Sequence, residues 1–205
     1  MNTKTTKTAT QISTLFVLPV ILFYFSNIPI QYNLFVLLAV TLIVVGIIIT
    51  EKWSLTDLGI RLDNIKKSAS WYLILIAFTI VAIVVLARLL NQNTQNIFAN
   101  VNFQYGFVII SFLQEFLFRS FLIPKLKLLT ASPTLVIAIN GVLFGFIHII
   151  FANPLSLFVL SSLLGIGFAY VYYRHPNLIL ATIAHSIINF VAVFYCFASL
   201  NPSCL

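Results

Sequence analysis

The sequence predicts an all-α, polytopic membrane helix bundle of about seven transmembrane helices with a cytoplasmic N-terminus. Three observations carry that prediction. Runs of about 17 or more apolar residues recur along the chain, the length a helix needs to cross a bilayer. With 61% hydrophobic and 7% charged residues over 205 positions, the chain does not read as a water-soluble domain. The basic residues also alternate from one helix end to the other. A closed barrel, the other membrane solution, needs short alternating segments, and none appear.

Taken in order, Met1 to Ser13 is polar and carries Lys4 and Lys7, and the apolar run Thr14 to Ile30 follows. No Ala-x-Ala-like cleavage site comes after it, so it reads as a retained helix rather than a signal peptide. A short uncharged link, Asn27 to Asn33, leads to a second helix at Leu34 to Thr50. The main hydrophilic connection, Glu51 to Ser70, holds Lys52, Arg61, Lys66 and Lys67 beside three acids. A third helix runs over Trp71 to Leu90, and Asn91 to Asn102 forms an uncharged polar loop. The fourth, Phe103 to Leu129, ends with Lys125 and Lys127. Pro133 opens the fifth, which stops at Ala152-Asn153-Pro154. The sixth covers Leu155 to Tyr173, and the seventh Leu178 to Leu200.

The charges test this count. With the N-terminus inside, nine of the ten Lys and Arg outside the fourth helix's central stretch fall on cytoplasmic segments, and Arg88 is the exception. In that setting the net charge of +7 marks inner loops and not a nucleic-acid partner. Cys196 and Cys204 form no Cys-x-x-Cys pair and suggest neither a disulfide framework nor a metal knuckle. No internal repeat or linker divides the chain, so residues 1–205 read as a single integral membrane domain.

The fourth helix carries the residues that set this chain apart. Gln114, Glu115 and Arg119 lie in an otherwise apolar run, and Glu115 is the only acid outside Glu51 to Asp63. An ionisable group at that depth costs several kcal/mol unless it is paired or used. Glu115 and Arg119 are one turn apart and can pair on one face. The bland reading is an ion pair that pins helices; the other is a polar active-site core. Two further helices favour the second, because the fifth reads Asn140 to His148 and the seventh holds His185 and Asn189 on one face. Gly141 and Gly145 allow another helix backbone to approach closely, which would bring His148 towards its neighbours. Counted from the turn at Ala131-Ser132, Glu115 and His148 can sit level, although His148 lies close to the outer turn at Asn153. Tilt, or an outer turn buried in protein, would reconcile the two.

A buried carboxylate with two imidazoles can activate water, and an Asn amide can donate to a developing oxyanion. Glu115, His148 and His185 are also a candidate three-ligand set for one divalent metal, zinc being the best match. The reaction class that follows is hydrolysis of an acyl bond within the membrane. A small transporter built on the same polar cluster is a further reading, but no second copy of the cluster is found.

Glu115-x-x-x-Arg119, Phe144-x-x-x-His148 and His185-x-x-x-Asn189 together resemble the three motifs of the CAAX-protease and bacteriocin-processing family of intramembrane proteases. The resemblance covers about Phe107 to Phe190, within a segment 103–200 that looks like the protease core. It implies a metal- or glutamate-dependent endopeptidase acting on a membrane-associated or lipidated protein or peptide. Membrane lipid and that substrate are the expected partners, and the expected setting is a bacterial inner membrane. Glu115, His148, His185 and Asn189 are the implied catalytic residues, with Gln114 and Arg119 supporting. In the family the first motif begins with two glutamates, the first activating water with the first His, while the second His and Asn form the oxyanion site. Here that first position is Gln114. Adjacent helical residues point about 100° apart, so Gln114 can hold the catalytic face while Glu115 faces Arg119. Three outcomes stay open. Glu115 takes over, or His148 with or without a metal activates water, or the protein has lost hydrolysis and serves as a bacteriocin self-immunity or membrane-binding protein. The site cavity is expected to be closed on the outer side and open to the cytoplasm or sideways to lipid.

Overall fold

A computed structural model describes residues 3–26, 28–95, 101–151 and 153–197, all helix, turn or loop, with no strand among the described residues. Among the described residues seven helices follow one another. They are α1 (Thr3–Phe25), α2 (Asn33–Thr50), α3 (Ile65–Leu89), α4 (residues 101–127), α5 (Pro133–Phe146), α6 (Pro154–Arg174) and α7 (Leu178–Phe194). Six are long and apolar enough to span a membrane by themselves, with the 3-10 turn Ile147–Ile150 extending α5, and α7 is a shorter apolar helix. The all-α polytopic bundle predicted from the sequence is therefore the fold. Two helices start well before their expected first residues, α1 at Thr3 rather than Thr14, within the polar leader, and α3 at Ile65 rather than Trp71. Helix α7 ends at Phe194 and residues 195–197 form a turn, so it stops short of the expected Leu200; residues 198–200 lie outside the described residues, as do Asn27 and Ala152 of the two outer links, Asn96 to Asn100 of the polar loop, and Cys204. Cys196 is disulfide-bonded, which its lack of a Cys-x-x-Cys spacing did not foretell.

The helix that carries Glu115 is the core of the bundle. Of its membrane window 61% is buried, against 11–33% for the other five spans. The others turn large apolar side chains outward, such as Phe35, Phe78 and Leu155, each at least two-thirds exposed. Such surfaces suit hydrocarbon and would be costly in water. Two helices contain π-helical stretches, Ser13–Val17 in α1 and Phe116–Leu122 in α4. Each ends two residues before a proline, Pro19 or Pro124. Proline supplies no N–H and crowds the carbonyl four residues back, so the regular ladder gives way just ahead of it. In α4 every residue of that stretch is buried, so the widened turn lies at the centre of the packing.

Helices α5 and α6 pack backbone to backbone. A Cβ added at Gly145 would lie 2.5 Å from the Phe158 carbonyl oxygen, and one at Gly165 would lie 3.0 Å from the Gly141 Cα. The Gly141/Gly145 pair thus admits a neighbouring helix, which is α6.

The connection between α2 and α3 folds inward at the end of the bundle that holds the basic residues. Leu58 is buried, and its carbonyl accepts from Ser120 Oγ (2.6 Å) and Tyr172 OH (3.0 Å). Gly59 has φ +68°, a conformation easy only for glycine, and its carbonyl accepts from the Leu178 N–H at 2.8 Å. Asn177 caps α7 through the Leu180 N–H and donates to the Arg61 carbonyl, tying the start of α7 to the same loop. Lys125, only 2% exposed, reaches both oxygens of Glu51 at 2.7 Å and Gln11 Oε1 at 2.9 Å. Its ammonium also lies over the rings of Trp53 and Phe121.

Partial burial of the Glu51 carboxyl opposes ionisation, but the hydrogen bonds and charge of Lys125 outweigh it and hold the pKa below the usual carboxylate value. A depressed folded pKa contributes stability that is complete above the unfolded pKa and is lost as pH falls through the folded one. Glu51→Gln should therefore lower detergent-solubilised stability at neutral pH by about 1.5–3 kcal/mol, the range for hydrogen bonds to charged groups. The difference from the parent should shrink below pH 4.5, the ordinary value for this carboxyl. Thermal unfolding of parent and variant across pH checks this, and a difference that does not vary with pH would contradict it.

Candidate active site

The site grows from a charge that the fold must satisfy in a dry place. Glu115 and Arg119 are both fully buried, with Arg119 Nε 3.2 Å from Glu115 Oε2, the contact that their one-turn spacing predicts. The rest of the guanidinium is enclosed by α5 and α6. Its Nη1 donates to Asn140 Oδ1, and its carbon lies 4.8 Å from the centre of the Phe144 ring and 5.5 Å from that of Phe168. Asn140 in turn donates to the Phe118 carbonyl at 2.7 Å, which fixes its amide. The other carboxylate oxygen, Glu115 Oε1, accepts from His185 Nδ1 at 2.8 Å. One carboxylate thus joins α4 to α7 directly, and to α5 through Arg119.

His148 occupies the turn after α5. The Phe144 carbonyl can only accept, so His148 Nδ1, 2.8 Å away, carries the hydrogen and Nε2 keeps its lone pair. Phe144 contacts both imidazoles, its ring centre 5.0 Å from that of His148 and 5.6 Å from that of His185. The two imidazoles are therefore less than about 11 Å apart, well within one packed helix neighbourhood.

A cavity of about 710 Å³ opens beside this core, within the range of small-molecule and peptide pockets. Gln114, His148 and Asn189 are on its wall, among mainly apolar side chains. Glu115 and His185 do not line it. Of the four residues expected to converge on one cavity, His148 and Asn189 line it, while Glu115 and His185 are buried and do not. The physical reason is the helical repeat. Consecutive residues diverge by about 100°, so once Arg119 and His185 draw Glu115 inward, Gln114 must face the space beside it. In helix α7 the separation runs along the axis: His185 is buried, and Asn189, one turn further on the same face, is on the cavity wall, its amide donating to Ser111 Oγ at 3.1 Å.

This division also bears on the metal expectation. Glu115 is committed to Arg119 and His185. Among the described residues no group of three His, Cys, Asp or Glu is placed to hold a metal ion.

The cavity lies towards the end of the bundle that holds few charges: its wall includes Phe151 and Asn153 of the link between α5 and α6, whereas the α2–α3 loop packs into the opposite end. That also resolves the depth of His148, because the link beside it is part of the cavity wall. Sequence reasoning quoted Asn140 without giving it a partner. Its signal was an amide in mid-helix, two turns before His148. Phe168 had no sequence signal, because any apolar residue reads alike there.

The fold and site define a class: a polytopic membrane protein with a buried, charge-paired Glu/His core beside a largely apolar cavity. Residues 96–191 match the family model described as Rce1-like, type II CAAX prenyl endopeptidase Rce1-like. Residues 96–191 are thus similar to the Rce1-like family, a likeness consistent with the CAAX-protease and bacteriocin-processing family. The matched segment contains all three motifs and leaves α1 to α3 outside it. No curated protein and no solved structure matches the chain.

Removing one partner of a buried pair leaves an uncompensated charge, at a cost of about 3–5 kcal/mol. Arg119→Leu should therefore sharply reduce folded yield, and Glu115→Gln combined with Arg119→Leu should recover much of it. Size-exclusion profiles and melting temperatures of the three variants check this. Wild-type behaviour of Arg119→Leu would sink the pairing.

Proposed function

We propose that this protein is an intramembrane endopeptidase that hydrolyses a peptide bond of a membrane-associated or lipidated protein, acting in what we take to be a bacterial cytoplasmic membrane. The observation that carries the reading is the joint presence of Gln114, His148 and Asn189 on one largely apolar cavity, backed by the Glu115–Arg119–His185 core. With Nδ1 held by the Phe144 carbonyl, His148 Nε2 is the base. It takes a proton from water as the water oxygen adds to the scissile carbonyl carbon. The oxyanion that forms accepts a hydrogen bond from the Asn189 amide, with the Gln114 amide as a second donor. The C–N bond then breaks, and His148 returns the proton to the departing amine. In this scheme Glu115, His185 and Arg119 are positioning residues. They hold α4, α5 and α7 at the spacing that keeps the two amides beside His148.

The test is cleavage of a prenylated peptide and of an unlipidated membrane peptide by the purified protein, with its metal content measured on the same samples. His148→Ala should lower turnover by about 10²–10⁴-fold, the range for loss of a general base. Asn189→Ala should cost about 10²–10³-fold, as loss of an oxyanion donor does. Gln114→Glu should raise turnover, since it puts a carboxylate on the cavity wall. Absence of cleavage by folded parent protein, or an unaltered rate in His148→Ala, would overturn the proposal.

A further inference from the structure

A second hollow, of about 290 Å³, lies at the basic end between the start of α5 and the finish of α6. Ile137 and Ala138 of α5 and Ile166 of α6 give it an apolar wall, and Tyr170, Tyr173 and Arg174 stand nearer the helix end. Tyr170 is 44% exposed, so this is a groove on the outer face of the bundle. Its α6 residues recur at helical spacing and form one stripe. From Arg174 to Ile166 that stripe runs about 12 Å along the span, most of the roughly 15 Å that one leaflet's hydrocarbon occupies. Past Ile166 the two helices meet, because a Cβ added at Gly141 would lie 2.4 Å from Ile166 Cγ1. None of these residues lines the cavity that holds His148.

Two cations stand at the shallow end of the groove. Lys127 Nζ lies 4.1 Å from the centre of the Tyr173 ring, and the Arg174 guanidinium carbon lies 5.8 Å from that of Tyr170. Both side chains are exposed, and no acidic side chain answers them. The chain has only four acids. Glu51 meets Lys7 and Lys125, Asp57 accepts from Ser54, Asp63 pairs with Arg61, and Glu115 meets Arg119 and His185. The tyrosine rings fix where the two charges stand, and the apolar stripe continues from them into the hydrocarbon. A free anion would leave that stripe uncovered, and a neutral lipid would leave the charges unanswered. A molecule with an anionic head and an acyl tail satisfies both. We propose that this groove binds an anionic glycerophospholipid, its phosphate held by Lys127 and Arg174 and one acyl chain laid along Ile137, Ala138 and Ile166. By the distribution of Lys and Arg this end is cytoplasmic, the leaflet whose anionic lipids attract basic residues. The site is independent of the endopeptidase reading.

The experiment is native mass spectrometry of the purified full chain, delipidated in a neutral detergent. It is titrated separately with phosphatidylglycerol, with phosphatidylcholine of the same acyl chains, and with inorganic phosphate. One phosphatidylglycerol should bind per chain, at least about tenfold more tightly than phosphatidylcholine, and phosphate alone should not bind at the same concentrations. Lys127→Gln combined with Arg174→Gln should weaken phosphatidylglycerol binding by about tenfold or more. Lys66→Gln combined with Lys67→Gln removes the same charge from exposed positions at the same end, and should change binding by less than about twofold. That comparison separates a built site from general attraction to a basic surface. Ala138→Leu keeps both cations and fills the groove, and it should also weaken binding. Size-exclusion profiles show which variants keep the fold, and loss of one groove variant leaves the other to decide. The proposal is overturned if phosphatidylcholine or inorganic phosphate binds as tightly as phosphatidylglycerol. It is equally overturned if the Lys66/Lys67 variant loses as much as the Lys127/Arg174 variant, or if the folded groove variants bind like the parent. A dimer mass that Ala138→Leu abolishes, with no lipid bound to the parent, would give this face to a second copy and overturn it too.

Discussion

The contact between Glu115 and Arg119 is the constraint that the rest of the bundle obeys. Two full charges sit with no exposure at the centre of a membrane protein, where neither water nor lipid can solvate them. Their solvation has to be built from protein, and the builders come from three other helices: Asn140 on α5, Phe168 on α6 and His185 on α7. Packing of α4 against these helices is therefore not interchangeable apolar contact. A shift by one residue along any of them would leave a donor or a charge without its partner, and that cost specifies register where greasy surfaces alone would not.

The same pair shapes the cavity. Because Glu115 is drawn into the core, its neighbour Gln114 faces the open space. Asn189, one turn beyond the His185 that meets Glu115, also lines that space. Phe144 contacts both imidazoles and the guanidinium. The dry side holds charge and fixes geometry, while the cavity side presents an imidazole and two amides to whatever enters. A site divided in this way keeps its strongest electrostatic groups away from solvent, where they act on structure, and leaves neutral hydrogen-bonding groups to meet a substrate.

The α2–α3 loop gives the bundle its polarity. Leu58 and Gly59 present backbone carbonyls to α4, α6 and α7, and Glu51 meets Lys125 beside them, so the basic end is closed by partners drawn from residues far apart in sequence. No family motif covers this loop, and the matched segment 96–191 does not include it. The first half of the chain is more than added spans, since it supplies the closure at one end and, through α1 and α2, much of the cavity wall at the other.

How much of this was legible depends on the range of the physics involved. Hydropathy and charge alternation act locally, so the all-α membrane fold and the run of seven helices follow from composition and spacing along the chain. The Glu115–Arg119 pair was readable for the same reason, as one helical turn is a local distance. So were the candidate groups Gln114, His148, His185 and Asn189, because polar residues stand out against an apolar background. Which of these share a compartment was not readable. That depends on helix rotation and depth, which are set by contacts between residues distant in sequence, such as Glu115 with His185 and Arg119 with Asn140. The direction in which the cavity lies was equally hidden, because it follows from how a hydrophilic loop folds back through backbone carbonyls, and every residue has one. The sequence by itself determined what the helices are and which polar groups they carry; tertiary structure alone decided which of those groups face one another and which face the cavity.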